Sequence, residues 1–566
     1  MKLRARRLCT FAAAAVALLP SSAQAWPEPE DSDIVAELHF QPVSGLQMAI
    51  WLTDAEGKFI RDIFVTQSTG KLGIGNRSGI WNFLSSWRAP YGPRRSVLPV
   101  WAHARGKTYP KIVFHDPNES HATSLGFHEA TSSAEPYHCR PLLEQEHEAI
   151  LDSMTCPSPS TFRTDKGRFD MGGLTSVYPP RGDIPSWNPD KDHVDVQMYG
   201  ALNDLDAVTG ATPPGGGPDF VSFRLSTEEA AEPTLVAWIE VNLEADMNAD
   251  WTFDRENDHF VDGLLQSYGI PYLGQPSVVY RVSFDPAMEG TFTATEYAGY
   301  GSWDGTNGDL NEPDGSISAS GGSGADRLQI MQKFDESFRV AVHTGQGGTC
   351  QQQALPPIEN LRVTPIDFDR VELSFTLPTS MPDTSEVRRL RVRQLPDSTV
   401  EDYEPDQALD AVGVPGICSG DPDVDEGMDC VEAAPGTEVT MLISSLFGNY
   451  DYTFAVAYED QCTNTSDPQL TDIRTPSQKF QQIETFCFVA TAAYGAHWGE
   501  EVFALRRFRD RYLKSSPLGH ALVRTYYAYG PTMAGAIKHS AVARATSRAL
   551  LQPVAEFADR ISPYGD

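Results

Sequence analysis

Four carboxylates, Asp421, Asp423, Asp425 and Asp429, lie between Cys418 and Cys430. Carboxylates at such spacing repel one another unless a cation or water intervenes, and donors made of oxygen alone suit Ca²⁺. A calcium site and a hydrated acidic loop both fit the pattern. The stretch Glu401 to Asp429 carries ten acidic residues, and no Lys or Arg occurs between Arg393 and Arg474. Asp304, Asn307, Asp309, Asn311 and Asp314 line a second oxygen-rich loop. Its order departs from the EF-hand, so a solvated loop is expected there. His115, His121, His128, His138 and His147 cluster, but their spacing suits neither one helix face nor a finger, and surface-loop positions are expected. No G-x-S-x-G, H-E-x-x-H or P-loop is present, which disfavours the hydrolase class.

The chain that must position these residues is long and acidic. Its 566 residues suffice for two or three domains, and 40% hydrophobic with 21% charged residues describes a globular protein. Lys and Arg total 44 against 77 Asp and Glu, a net charge of −33, which argues against a nucleic-acid partner. Lys2, Arg4, Arg6 and Arg7 precede the apolar stretch Phe11 to Leu19, and Ala23-Gln24-Ala25 is a small-x-small cleavage site. Residues 1–25 therefore read as a secretory signal, and a periplasmic or cell-surface location is expected. Cys9 precedes the apolar run and leaves with the leader. Seven cysteines remain, with no C-x-x-C among them. In an oxidising compartment Cys139–Cys156 and Cys418–Cys430 are natural local pairs, and Cys350–Cys462 would close a longer loop. Spacing does not fix this connectivity. It leaves Cys487 over, either as a small packed hydrophobe or as a point of sorting or attachment.

Residues 26–346 read as β. Leu46 to Leu52 and Phe59 to Val65, joined by Asp54-Ala55-Glu56-Gly57, predict a hairpin. Further strands are predicted over Phe220–Leu225, Leu235–Val241, Val278–Phe284, Thr291–Tyr297 and Phe338–His343, and the spacing predicts a β-sandwich. The segment Asp206-Ala207-Val208-Thr209-Gly210-Ala211-Thr212 resembles the D-x-x-[ST]-G-A-[ST] signal on which a flavin transferase attaches FMN. That resemblance implies a phosphodiester on Thr212, with Asp206, Thr209 and Gly210 as recognition residues. A tight strand connection is the competing reading. The pieces "LPVWAH", "DAVTGATPPG", "AWIEVNLEADMN" and "GQPSVVY" also resemble an exported β-rich family of unknown function.

Gly345 to Pro357 is a polar linker by composition. Beyond it, "LFGNYDYTFAVAY" at residues 446–458 resembles the fibronectin type III pattern L-x-P-x-[TS]-x-Y-x-F-x-V-x-A. The resemblance implies a second sandwich over residues 356–475, with Leu446, Phe454 and Val456 facing its core and Tyr452 as corner tyrosine. Residues 487–561 change character. Val502, Leu505, Phe508, Tyr512 and Leu513 recur at helical spacing, and shorter helices are expected after Pro517 and Pro531, including Val542 to Leu551. The pieces "CFVATAAYG", "LRRFRDRYL" and "ARATSRALLQP" resemble the CFI-box C-terminal domain of exported bacterial proteins. From Cys487 onward ten basic residues face six acidic ones, so a basic helical end sits on an acidic body. That polarity suits the envelope or a membrane surface as partner, and equally a compact bundle. The expectation is an exported binding or spacer protein for a protein or carbohydrate ligand. The rival class is a redox carrier with covalent FMN.

Overall fold

The computed structural model describes residues 31–77, 93–113, 168–183, 194–244, 246–251, 274–317, 322–345, 350, 352–382, 386–396, 398–418, 430–444, 446, 450–476 and 541–561. The fold is mainly β. Two compact units divide the chain, Met1–Gln478 and Lys479–Asp566.

The first unit opens with β1 (Asp31–Phe40), β2 (Gln47–Asp54) and β3 (Phe59–Thr66), followed by the short helix α1 (Pro99–Ala104). Four two-residue strands come next: β4 (Tyr109–Pro110), β5 (Ile112–Val113), β6 (Arg168–Phe169) and β7 (Thr175–Ser176). The sequence continues through β8 (Thr209–Gly210), β9 (Asp219–Ser226), β10 (Leu235–Asn242), β11 (Val278–Phe284), β12 (Gly290–Ala294) and β13 (Gly299–Tyr300). It ends with β14 (Met331–Lys333), β15 (Glu336–Phe338) and β16 (Val340–Thr344). A four-stranded sheet, β12-β16-β1-β9, packs on a six-stranded sheet, β13-β11-β10-β2-β3-β8. Alternate residues of each strand fill the space between them: Ala36, Leu38 and Phe40 meet Ile50, Leu52, Ile239, Tyr280 and Val342. This is the period-two pattern that a sheet with one face in the core requires. The predicted β2–β3 hairpin is present, and Gly57 takes φ +86° at its turn. The strand expected over Thr291–Tyr297 stops at Ala294.

The second sandwich comprises β17 (Glu359–Asp367), β18 (Arg370–Thr376), β19 (Val387–Pro396), β20 (Leu409–Asp410), β21 (Gly416–Ile417), β22 (Cys430–Val431), β23 (Glu438–Ile443), β24 (Asp451–Asp460) and β25 (Gln469–Arg474). Three strands, β17-β18-β23, face four, β20-β19-β24-β25. This is the second sandwich that the fibronectin resemblance implies. Leu446, Tyr452, Phe454 and Val456 lie in its core beside Phe375 and Val392, as expected. Disulfides join Cys350 to Cys462 and Cys418 to Cys430. The polar linker is tied down: Cys350 and Leu355 are buried, and Pro356 O accepts from the Tyr458 hydroxyl.

In the second unit, one 21-residue helix, Ala541–Ile561, runs straight past Pro553 instead of ending near Leu551. Proline frees the carbonyl four residues earlier, and Ala549 there is exposed to water, which satisfies it. No helix among the described residues is long and apolar enough to cross a membrane.

Candidate functional site

The word "LPVWAH" forms α1, whose N-terminus is aimed at one carboxylate. Glu240, on β10 and fully buried, accepts from Val100 N (3.2 Å), Trp101 N (2.7 Å) and the Ser277 hydroxyl (2.5 Å). Three pieces of the sequence resemblance, around Trp101, Glu240 and Ser277, thus converge on one buried acid. Burial raises the Glu240 carboxyl to about 7, partly offset by these neutral donors. Trp101 Nε1 donates to Asp62 Oδ1 (2.7 Å), Arg105 pairs with Asp62 and Asp204, and the Tyr109 hydroxyl donates to Asp204 (2.5 Å). Another acid of the same words, Asp246, is buried and held by Arg327 Nε (2.8 Å), Gly324 N (3.0 Å) and Ser323 N (2.5 Å).

The flavin-like segment lies at the contact between the two sandwiches. Thr209 and Gly210 form β8, parallel to Val65 and Thr66. Gly210 O accepts from Gln67 N (2.8 Å), and Ala211 N donates to Asp410 Oδ2 (2.9 Å) on the second sandwich. Gln67 exchanges two further hydrogen bonds with the Asp410 backbone. A Cβ on Gly210 would stand 2.5 Å from the Phe64 ring, so the glycine is required by packing. Gly215, at φ +76°, lies against the Ser44 backbone with no space for a side chain. Thr212 is half-buried, and no residue among those described hydrogen-bonds its hydroxyl.

The oxygen-rich loop folds inward upon itself. Asp304 accepts from Ser302 Oγ, Thr306 N and Thr306 Oγ1, Asp309 N donates to Asn307, and Asp314 accepts from Ser316 N and the Tyr300 hydroxyl. These are local turn bonds, and no metal-binding group of three acids, histidines or cysteines exists among the described residues. Asp421, Asp423, Asp425, Asp429, the five clustered histidines, Cys139, Cys156 and Cys487 lie outside the described residues.

Sequence reasoning missed a buried polar cluster between the two sandwiches. Glu37 and His39 alternate along β1 and point away from the sandwich core, yet each is only 1% exposed. His39 Nε2 lies 3.0 Å from Glu37 Oε2, and Arg388 of β19 donates to Glu37 Oε1 at 2.8 Å. Lys333 Nζ lies 3.3 Å from His39 Nδ1. Phe334 follows Lys333 in the β14–β15 turn, and its ring stacks on His343 at 4.4 Å and meets His39 edge-on at 5.1 Å. Burial pushes the Glu37 carboxyl up, but the His39 hydrogen bond and then the Arg388 charge bring it down to about 2. Burial, opposed by Glu37, lowers His39 to about 4. The signal available in the sequence was Glu-x-His in a strand of otherwise apolar alternation.

The same face of β9 completes the contact. Arg389 donates to Phe220 O, and Arg224 donates to Cys350 O (3.0 Å) and to Cys462 O. An open cleft of about 430 Å³ lies beside that disulfide, lined by Arg224, Gln352, Gln353, Ala354, Thr463 and Asn464 among others.

No family model matches the chain, and no curated protein matches it. Among solved structures, it is similar to the FN1–FN3 domains of chicken CNTN1, at 15% identity over 22% of this chain and 33% of that one, with a TM-score of 0.15. It is similar also to the fn3 domain of human contactin 1, at 9% identity over 24% of this chain and 89% of that one, with a TM-score of 0.15. The chain thus spans about a third of the chicken fragment. The second sandwich is identified by its own strand order.

Proposed function

We propose that this is an exported binding or spacer protein, without catalysis of its own, whose two sandwiches are welded into one rigid body and whose C-terminal region retains it at the envelope. The weld is the observation that supports the reading. Arg388, Arg389, Asp410 and Cys462 of the second sandwich bond to Glu37, Phe220, Ala211 and Arg224 of the first. Fixed relative orientation is what a spacer, or a two-module surface for a protein or carbohydrate ligand, requires. The signal-like residues 1–25 and the two disulfides support export. The exposed side chains Leu550, Val554 and Phe557 on one face of the last helix, in a segment of net positive charge, support attachment to an anionic membrane surface. Calcium on the Asp421–Asp429 loop belongs to the same reading as a stiffener of the second sandwich.

Fractionation of a bacterium exporting the full chain tests this. The full chain is expected with the envelope and a chain ending before Cys487 in the soluble fraction. A full chain found in the soluble fraction overturns the retention reading. The second reading, covalent FMN on Thr212, is favoured by one observation, a half-exposed hydroxyl without a partner among the described residues. Co-expression with a flavin transferase would then give a yellow protein, and Thr212→Ala a colourless one.

A further inference from the structure

The contact between the sandwiches contains a polar cluster centred on the Glu37 carboxylate. From β1 come Glu37 and His39, from the β14–β15 turn Lys333, and from β16 His343. From β12 comes Thr291, 2.8 Å from His343 Nδ1, and from the turn before it Glu289. From β9 come Asp219 and Phe220, and from β19 Arg388 and Arg389, with Asp219 3.8 Å from Arg389. Burial lowers the Lys333 amine, and Glu37 opposes that shift; as an ammonium it can only donate, so His39 Nδ1 accepts from it. The ring's proton then sits on Nε2, where it donates to Glu37. His39 is therefore neutral by geometry: a second proton on Nδ1 would set two cations 3.3 Å apart and break the Lys333 bond. The turn that brings Lys333 there is itself strained. Phe334 and Asp335 hold φ of +56° and +60°, in a two-residue turn that favours Asn-Gly. A bulky aromatic is kept in that conformation by its place between His39 and His343.

We infer that this cluster is an acid-sensitive clasp: protonation of His39 expels Lys333 and the Phe334 turn and loosens the hold of Arg388, so that acid unlocks the two sandwiches from each other. The inference concerns the weld itself and stands whether or not the protein is retained at an envelope. The sign follows from His39. Its value in the docked state lies below the ordinary 6.5, so docking is favoured fully above that value and loses stability as pH falls from 6.5 toward about 4. His343, also lowered by burial, acts in the same direction. Glu37, held at about 2, stays ionised through that window and does not itself drive the release.

Hydrogen exchange of the full chain, corrected for the intrinsic rate, tests the clasp at about pH 7 and about pH 4.5. Protection of residues 331–338 and 387–393 is expected to fall by on the order of tenfold in acid, with no fall in β10 and β11, where Glu240 gains its proton and adds stability over the same range. His39→Gln supplies an amide N–H for Glu37 and a carbonyl for Lys333 but does not titrate, and is expected to hold protection within about twofold. Lys333→Met removes the cation that opposes protonation and is expected to shrink the acid loss. Equal protection of wild type at both pH values overturns the clasp. So does an undiminished acid loss in both variants.

Discussion

Glu37 and Glu240 are equally buried, and the structure treats them in opposite ways. Glu37 faces His39, Arg388 and the nearby Lys333, and its carboxyl is driven down to about 2. Glu240 faces a serine hydroxyl and two backbone N–H groups at the start of α1, and its carboxyl rises to about 7. Burial pushes both upward, so the difference lies in the partners. At Glu37 the His39 hydrogen bond lowers the carboxyl most, and the Arg388 guanidinium adds a positive charge that no donor to Glu240 supplies. The acid inside one sandwich thus serves as a neutral-leaning hydrogen-bond hub, and the acid between the two sandwiches serves as a charge anchor.

The largest expected effect breaks the charge anchor. Glu37→Ala leaves Arg388, Lys333 and His39 without their shared carboxylate, and a loss of about 3–5 kcal/mol is expected in chemical denaturation. Glu240→Gln removes no counter-charge. It turns an amide N–H toward donors, and a smaller loss of about 1–3 kcal/mol is expected. If Glu240→Gln proves the more costly, the contrast between the sites is wrong. Their pH dependences sharpen it. A Glu240 raised to about 7 keeps its proton in the folded chain while the unfolded chain ionises near 4.5, so wild type loses stability as pH rises from 4.5 to about 7. The cost of Glu240→Gln is therefore expected to shrink over that window, in denaturation series at several pH values. Glu37 has the other sign. Its contribution is present above 4.5 and lost as pH falls toward 2.

Strands buried on one face were legible in the sequence because their apolar period is clean. β2, β3, β10 and β11 were all predicted close to their observed limits. β1 is one of the two inner strands of its sheet and was not predicted, because Glu37 and His39 stand where a buried strand should read apolar. Their burial comes from Arg388 and Lys333, some 300 residues away in the chain, and no local pattern reports that. The pairings Cys350–Cys462 and Cys418–Cys430 were among those that compartment and spacing suggested without fixing, and both are present. The hub at Glu240 was only half legible: its words stood out, but their convergence depends on α1 docking over the six-stranded sheet. β23 escaped for a different reason: Leu442 is apolar yet exposed between Met441 and Ile443, which blurs the apolar period on a short strand.

The smallest expected effect separates the packing and modification roles of the Thr209–Thr212 segment. Gly210 and Thr212 are two residues apart, but their surroundings differ as sharply as those of the two acids. Gly210 is closed in by Phe64, and Gly210→Ala would force the ring or β8 to shift, at about 1–3 kcal/mol. Thr212 is half-exposed, and its hydroxyl bonds to none of the described residues, so Thr212→Ala is expected to stay within about 0.5 kcal/mol of wild type. A side chain that contributes so little to stability is free to be modified. One whose loss costs 1 kcal/mol or more would instead be a packing element. Thermal unfolding of the two variants, produced without a flavin transferase, reads the difference directly. A Thr212→Ala loss as large as that of Gly210→Ala would assign the whole segment to the weld between the sandwiches.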